Sequence, residues 1–387
     1  MSGTTYNARQ MIDKLISFDT TSRVSNMELI DFVRDYLAGW GIESLLVPNE
    51  DNSKANLYAT IGDARQGGIV LSGHTDVVPV DGQNWSTDPF AVAEKDGKLF
   101  GRGTCDMKGF IAIALSRVPQ LVAANGKTPI HFAFSYDEET GCTGVRSLIS
   151  HMKQHLPLPR AVIVGEPTDM TVVNAHKGGY TFVTEVTGLE GHSSLAHKGV
   201  NAVMIAGEIL SEINRIAADF RTRLDTSRRF DPPYSTVHAG LIQGGTALNI
   251  IPLNCKIIWE LRALPGQGPD EILERIRKFA DTLLPAMHAV DPGTGIITEC
   301  TNAIPPLLPE DGSPVETLVL ALAQQNDTYA VSYQTEAGLY QEIEIPTVIC
   351  GPGSITQAHK PDEYVSLAQI AACETFMDRL VEHIAAN

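Results

Sequence analysis

Three short segments in the first half of the chain are almost unbroken apolar runs, and they constrain the fold more than any other feature. They are residues 68–73 (GIVLSG), 130–136 (IHFAFSY) and 161–165 (AVIVG). Short, β-branched runs of this kind are typical of strands buried on both faces of a largely parallel sheet. Residues 110–122 have the pattern of a crossover helix between two of them. We therefore predict an α/β fold with a mixed, mostly parallel sheet flanked by helices.

The pattern changes after residue 177. Alternating apolar and polar residues predict three half-exposed strands, and two long amphipathic stretches predict helices. These elements cover residues 180–188, 201–220, 235–242, 255–263 and 269–284. After about residue 292 the first pattern returns. We therefore predict an α+β domain of residues 178–291, inserted into a discontinuous catalytic domain of residues 1–177 and 292–387.

Charge and composition exclude several classes of function. The net charge of −17 argues against nucleic acid and anionic membrane surfaces, because phosphate groups are bound by basic faces. No apolar stretch is long enough to predict a membrane span, and the N-terminal residues lack the apolar core of a signal peptide. The six cysteines are dispersed without a CxxC pair, so we expect a reducing, cytoplasmic location.

Imidazole and carboxylate side chains follow the predicted buried strands or lie in a glycine-rich loop. They are His74, Asp76, Asp106, Glu138, Glu139, Glu166 and His359. Because ligands bind beyond the carboxyl ends of strands in open α/β sheets, these groups are expected at one edge. They are too many for a single catalytic zinc with three protein ligands. They suit two metals about 3.5–4 Å apart, bridged by a carboxylate.

Two further roles follow from spacing. Asp76 lies two residues after His74, where its carboxylate could accept the second imidazole N–H. Of the adjacent Glu138 and Glu139, one can ligate a metal while the other stays free to take a proton from water. A metal-dependent binding protein is the alternative class, and neither a ligand nor a base is missing that would favour it. The sequence contains no GxSxG, GxGxxG or HExxH motif, which disfavours serine hydrolases, dinucleotide enzymes and HExxH proteases.

The motifs that carry these residues support a resemblance to a known family. They are GHTDVVP, GRGTCDMKG, YDEETG, VGEPT, GHSS, TALNIIP and QAHKPDEY. Over essentially the whole chain they resemble the zinc aminoacylase and carboxypeptidase metallopeptidases, most closely the acetylornithine deacetylase group. The resemblance implies two Zn²⁺ per subunit, with Co²⁺ as a possible substitute. It assigns His74 and Glu166 to one ion, Glu139 and His359 to the other, and Asp106 to both.

The resemblance also implies the remaining site residues in the first domain. Glu138 is expected to be the general base, and Asp76 to orient His74. The peptide bond between Asp106 and Met107 is expected to be cis.

Residues in the inserted domain are assigned by resemblance to substrate binding and dimer formation. His192 is expected to reach the partner subunit's active site in a homodimer and to stabilise the oxyanion there. Arg262 and Asn249 are expected to hold the substrate carboxylate and carbonyl. Gly353 and Ser354, in the first domain, are expected to line the pocket through their backbone groups.

The implied reaction is hydrolysis of an N-acyl amino acid. N2-acetyl-L-ornithine, giving L-ornithine and acetate in arginine biosynthesis, is the expected substrate. The alternatives are N-succinyl-diaminopimelate, another N-acyl amino acid or a dipeptide, because a few pocket contacts can decide specificity within one family.

Overall fold

Helices and strands alternate along both ends of the chain, as the apolar pattern predicts. The computed structural model describes residues 3–227 and 229–386. The α-helices described are α1 (Ala8–Ile16), α2 (Met27–Gly39), α3 (Lys108–Ser116), α4 (Val118–Ala124), α5 (Val145–His155), α6 (Ala202–Phe220), α7 (Asp270–His288), α8 (Pro314–Ala323), α9 (Ala337–Gln341) and α10 (Leu367–Ala386).

The strands fall into a large mixed sheet, a four-stranded antiparallel sheet and small β-ribbons. The strands described are β1 (Ser44–Pro48), β2 (Ala55–Ile61), β3 (Ile69–His74), β4 (Ala93–Lys95), β5 (Lys98–Phe100), β6 (Ile130–Ser135), β7 (Ala161–Val164), β8 (Val173–His176), β9 (Gly178–Thr187), β10 (Gly191–His192), β11 (Thr236–Gly244), β12 (Ile250–Ile251), β13 (Asn254–Ala263), β14 (Gly295–Ile304), β15 (Tyr329–Val331), β16 (Thr347–Ile349) and β17 (Tyr364–Ser366).

The large sheet has the order β1-β2-β6-β3-β7-β16-β8-β15. Its four central strands, β6, β3, β7 and β16, run parallel, while β1, β2 and β8 pair antiparallel with their neighbours. Every residue of these four central strands is buried, which matches their unbroken apolar sequences. The predicted α/β fold class is confirmed.

Two compact units divide the chain. The first comprises the described residues as far as Ala175, then Leu307–Tyr329 and the described residues from Thr335 onward. The second comprises His176–Pro306 and Ala330–Gln334. The second unit includes β14, which lies after the predicted domain boundary at residue 291.

The second unit is built on an antiparallel sheet with the order β11-β13-β9-β14. Helices α6 and α7 supply apolar faces that share one core with residues of β9 and β13. Phe182 of β9 and Trp259 of β13 stack in that core with their ring centroids 4.1 Å apart. The alternating burial along β13 shows why its sequence alternates apolar and polar residues.

One local prediction differs from the structure. The single helix expected over 110–122 is two helices, α3 and α4, which meet at Arg117. Pro119 lies in the first turn of α4, where its missing N–H is tolerated but a continuous helix is not. The guanidinium of Arg117, between the two helices, pairs with Glu374 and Asp378 of α10.

Two further properties of the described chain concern its helices and its cysteines. Within the described residues, no helix combines the length and the apolar character that crossing a membrane requires. All six cysteines are free thiols.

Candidate metal centre

The carboxyl ends of the four parallel strands bring the expected ligands together. His74 is the last residue of β3, and Glu166 follows β7 by two residues. Glu138 and Glu139 follow β6 on a tight turn, in which the carbonyl oxygen of Glu138 accepts the N–H groups of Gly141 and Cys142. Because the four strands run the same way, their ends meet at one edge of the sheet.

Asp106 lies between two groups of ligands. Its Oδ1 is 3.1 Å from Nε2 of His74, and its Oδ2 is 3.4 Å from Nε2 of His359. The same nitrogen of His359 is 3.0 Å from Oε2 of Glu139, and Nε2 of His74 is 3.7 Å from Oε1 of Glu166. The two oxygens of one carboxylate therefore face two different histidine–glutamate pairs, which is the geometry of a bridging ligand.

The backbone at Asp106 has the expected unusual conformation. The peptide bond between Asp106 and Met107 is cis, which confirms the prediction.

The two sides of the cluster differ in exposure. The side chain of His74 is 1% exposed, whereas that of His359 is 55% exposed. One histidine therefore lies inside the protein, and the other borders solvent.

Asp76 makes contacts different from those that spacing suggested. Nδ1 of His74 is 2.9 Å from the backbone carbonyl oxygen of Asp76 and 3.6 Å from its carboxylate. Since a carbonyl oxygen only accepts, Nδ1 carries a proton, and Nε2 is the nitrogen that faces Asp106 and Glu166. The closest partner of the imidazole is thus the backbone of Asp76, and the carboxylate is further away.

The carboxylate of Asp76 holds the turn that carries both glutamates. It accepts the backbone N–H of Glu138 at 3.1 Å and that of Glu139 at 3.2 Å. The hydroxyl of Ser22 donates to the same carboxylate at 2.8 Å. Asp76 therefore positions the glutamate turn and His74 together.

Glu138 is a buried acid beside the cluster. Burial raises its pKa to about 8, and the neighbouring carboxylates of Glu139 and Glu336 act in the same direction against the opposing His74. The thiol of Cys142 donates to its Oε1 at 3.3 Å. A carboxyl group with a pKa near neutrality can both take and give a proton at physiological pH.

The histidines and carboxylates shift one another's pKa values in the protein alone. Hydrogen bonds with Asp106 and Glu139 raise the pKa of His359 to about 10. Burial opposes ionisation of Asp106, but its hydrogen bonds with His359 and His74 hold its pKa below the ordinary value. Burial also raises the pKa of Glu166 well above its ordinary value. Protons therefore partly balance the charge of this acidic cluster.

These residues fit metal ions. His74, Asp106 and Glu139 place one ligand atom each within 4.8 Å of one another, and so do His74, Glu138 and Glu166. Oε1 of Glu139 is buried and has no hydrogen-bond partner among the described residues. A buried carboxylate oxygen without a partner is costly, and a cation bound beside it would satisfy it. Nitrogen and oxygen donors in this mixture suit zinc and related divalent ions.

The other predicted residues of the second unit are exposed or half-buried. Asn249 is exposed, and its carbonyl oxygen accepts the N–H of Ser193. Arg262 of β13 is paired with Glu260 at 2.9 Å and donates to the side-chain oxygen of Gln334.

His192 is also exposed, and its tautomer follows from its contacts. Its Nδ1 accepts the backbone N–H of Ser194 at 3.2 Å. The proton of the neutral ring is therefore on Nε2.

Gly353 and Ser354 lie on the loop between β16 and His359. The N–H of Gly353 donates to Gln369 at 3.2 Å, and its carbonyl oxygen accepts the N–H of Asp169 at 2.6 Å. The carbonyl oxygen of Ser354 accepts the thiol of Cys105 at 3.3 Å. Gly353 has φ +88°, and a Cβ there would lie 2.6 Å from Sγ of Cys105, so only glycine fits this contact.

Sequence reasoning missed several residues that support the cluster. Glu336 is 1% exposed and hydrogen-bonds Ser135 and Ser72, which precede the ligands on β6 and β3; burial raises its pKa to about 7. Glu363 and Arg102 form a fully buried ion pair beside Asp106. In the sequence, Arg102 is marked only by its place in the motif GRGTCDMKG, and Glu363 only by its place in QAHKPDEY.

A two-unit α/β fold with a shared carboxylate, two flanking histidines and a spare glutamate defines a metal-dependent hydrolase. The match to a family model makes that class specific: residues 70–383 match the model of peptidase family M20/M25/M40, and the chain belongs to this family. The resemblance inferred from the motifs is confirmed.

Curated relatives match over nearly the whole chain. An acetylornithine deacetylase from Myxococcus xanthus is 36% identical over 395 residues, covering 99% of each chain. Another, from Proteus mirabilis (strain HI4320), is 36% identical over 383 residues, covering 97% of this chain and 95% of the relative.

A solved structure shares the fold. An M20 family metallo-carboxypeptidase from Sulfolobus solfataricus has a TM-score of 0.77, covering 99% of this chain and 100% of the other. Its sequence is 16% identical, so this likeness concerns the fold alone.

Proposed function

We propose that the protein hydrolyses N-acyl amino acids and that N2-acetyl-L-ornithine is its substrate, giving L-ornithine and acetate in arginine biosynthesis. The proposal of a hydrolase rests on the geometry at Asp106. Its two carboxylate oxygens face separate histidine–glutamate pairs beside the buried acid Glu138. The substrate is supported by relatives named acetylornithine deacetylase, which match this chain over 95% and 99% of their own length.

The ions are proposed to be two Zn²⁺, with Co²⁺ able to replace them. His74 and Glu166 would hold one, His359 and Glu139 the other, and Asp106 both. When bound, such a pair polarises an acyl carbonyl and lowers the pKa of water toward neutrality. The Nδ1–H of His74 is committed to the Asp76 carbonyl, so Nε2 is the nitrogen that would bind an ion, in place of any proton it carries.

Glu138 is the proposed proton carrier. It takes a proton from the attacking water and delivers it to the nitrogen of the departing amine. The peptide N–H bonds to Asp76 fix where the Glu138 backbone lies, so the carboxyl group need only move about its own side-chain torsions. A cation pair nearby would favour its carboxylate form, which is the form that accepts a proton.

Arg262 is the proposed partner of the substrate α-carboxylate, because a guanidinium matches a carboxylate with two parallel hydrogen bonds. It is one-third exposed and already paired with Glu260, so binding would exchange one carboxylate for another. Asn249 is the proposed partner of the acyl or carboxylate oxygen, and Gly353 and Ser354 are proposed to line the pocket.

His192 is the proposed oxyanion donor. The Ser194 N–H on its Nδ1 leaves an exposed Nε2–H, which is a suitable donor for developing negative charge. In the proposed homodimer this donor is supplied to the partner subunit, and the inserted domain forms the dimer contact. We also propose a cytoplasmic location, which agrees with six free cysteines.

The substrate is tested with a panel of N-acyl amino acids and dipeptides assayed by release of the free amine. N2-acetyl-L-ornithine should give the highest kcat/KM. A higher value for N-succinyl-diaminopimelate would reassign the substrate and leave the hydrolase in place. An equally active preparation after exhaustive metal removal would overturn the metal-dependent mechanism.

A further inference from the structure

The loop that carries His359 is anchored by a neighbouring segment, residues 83–86, that supplies no proposed metal ligand. Nε2 of Gln83 donates to the backbone carbonyl oxygen of His359 at 3.0 Å. The N–H and hydroxyl of Ser86 both donate to Asp362, at 2.8 and 3.0 Å. Residues 83–86 therefore hold the His359 loop at two points.

The backbone of this loop needs that support. His359 has φ +63° and Asp362 has φ +55°. Residues other than glycine rarely adopt this left-handed backbone region, and those held there depend on surrounding contacts. The Gln83 side chain binds the carbonyl of the very residue whose imidazole faces Asp106 and Glu139.

A second anchor holds the loop of the bridging carboxylate. Oε1 of Glu363 accepts the backbone N–H groups of Gly103, Cys105 and Asp106, at 3.0, 2.9 and 3.1 Å. Three donors on one carboxylate oxygen fix the path of the backbone that enters Asp106. Glu363 is 1% exposed, so water does not compete for these bonds.

Arg102 joins the two anchors. One of its terminal nitrogens donates to Oε2 of Glu363 at 2.6 Å, and the other donates to Oε1 of Gln83 at 2.6 Å. Trp85 covers the guanidinium, with its ring centroid 5.1 Å from the central carbon, and its Nε1–H also donates to Gln83. Arg102 is 1% exposed. A continuous chain of hydrogen bonds thus runs from the backbone of Asp106 to the backbone of His359.

We propose that Gln83, Arg102 and Glu363 form a positioning unit that sets the separation of Asp106 and His359, and with it the affinity of the cation site that His359 shares with Glu139. This inference rests on the metal centre of the proposed function and assigns residues that touch neither metal nor substrate. Partners that orient ligands commonly change metal affinity about 10- to 100-fold when removed.

The structure predicts a selective effect. The His74–Glu166 side is held by β3, by the loop after β7 and by the Asp76 carbonyl, none of which Gln83 contacts. Loss of the Gln83 contact should therefore weaken the cation at His359 and leave the cation at His74 unchanged. Loss of the Glu363 charge acts on Asp106 and should weaken both.

Zn²⁺ titration of the metal-free full-length protein by calorimetry tests this directly, without substrate. Gln83→Glu keeps an oxygen for Arg102 and Trp85 but removes the donor to His359, while Gln83→Ala removes both. We expect both variants to bind one of the two Zn²⁺ ions about 10- to 100-fold more weakly, with the other unchanged. Gln357→Ala is the matched control, because Gln357 lies on the same loop and its side-chain amide donates to the neighbouring Thr356.

Three outcomes decide the inference. Gln83 variants that bind both ions as the unmodified protein does would overturn it. Equal weakening of both ions would also overturn it, because that result indicates general destabilisation. Unmodified protein that fails to bind two ions would instead overturn the metal centre itself, so the two failures are distinguishable. Glu363→Gln, which keeps the shape, should weaken both ions; if it does not fold, the Gln83 pair still decides.

Discussion

The two largest sheets described in this protein differ in how their strands are buried. The central strands of the eight-stranded sheet are buried throughout, and their carboxyl ends carry the proposed metal ligands. The four-stranded sheet alternates buried and exposed residues, and its edge strand β11 is largely exposed, including Leu241 and Ile242. A sheet covered on both faces can only display function at its ends, whereas a sheet with a free face and edge offers a surface.

This contrast predicts that substitutions in the two units change different properties of the protein. Residues at the ends of the parallel strands should control cations and proton transfer. Residues on the antiparallel unit should control substrate recognition and association of subunits while leaving the cations in place.

The largest effect is expected from Glu138→Gln. The amide cannot take a proton, so kcat should fall about 10²- to 10⁴-fold. The variant should still bind two metal ions, because Glu138 is not the proposed ligand. Metal analysis beside steady-state kinetics checks both points. Glu139→Gln is the matched comparison and should lose affinity for one ion. Full activity in the Glu138 variant would remove it from the mechanism.

His192→Ala is the corresponding test of the second unit. Loss of one oxyanion donor should lower kcat about 10²- to 10³-fold, with metal content unchanged. His197→Ala serves as the control, since His197 is also exposed and lies in the same short segment. If both variants lose activity equally, or neither does, His192 has no special role.

Association of subunits should depend on the exposed apolar residues of the edge strand β11. We expect the unmodified protein to sediment as a dimer and the double variant Leu241→Asp, Ile242→Asp to sediment as a monomer, because two charges would be buried in the interface. Ile297→Asp on β14, 62% exposed at the opposite edge, should stay dimeric. A dimeric double variant would place the interface elsewhere.

The smallest expected effect concerns protons in the first unit. His359 has its pKa raised to about 10 in the protein alone, so near pH 7 it carries a proton that a bound cation must displace. Metal uptake should therefore release protons, and affinity should fall as the pH is lowered. Calorimetry in buffers of different ionisation enthalpy measures the release. His359→Gln should release fewer protons, and an unchanged count would assign the proton to another group.

Sequence reasoning located most of the fold and the side chains that meet in the cluster, because these depend on local pattern. The buried strands are visible as apolar runs, and His74, Glu166 and the glutamate pair stand directly beyond them. The break between α3 and α4 was missed because the apolar pattern continues across Arg117. The role of Gln83 was missed because its partners are 19 and 276 residues away, and no local pattern marks such contacts.

The discontinuity of the first unit has a consequence for the order in which the molecule is made. Strand β16 pairs with β7 near the middle of the large sheet, yet it is among the last strands in the chain. All four strands of the smaller sheet precede it. During synthesis from the N-terminus, we expect the smaller sheet to be complete while the larger one still has an open gap beside β7. His359 emerges later still, so the cluster would bind the proposed pair of cations only when translation is almost finished. Hydrogen exchange on ribosome-stalled chains ending before β16 would reveal the reverse order if this expectation is wrong.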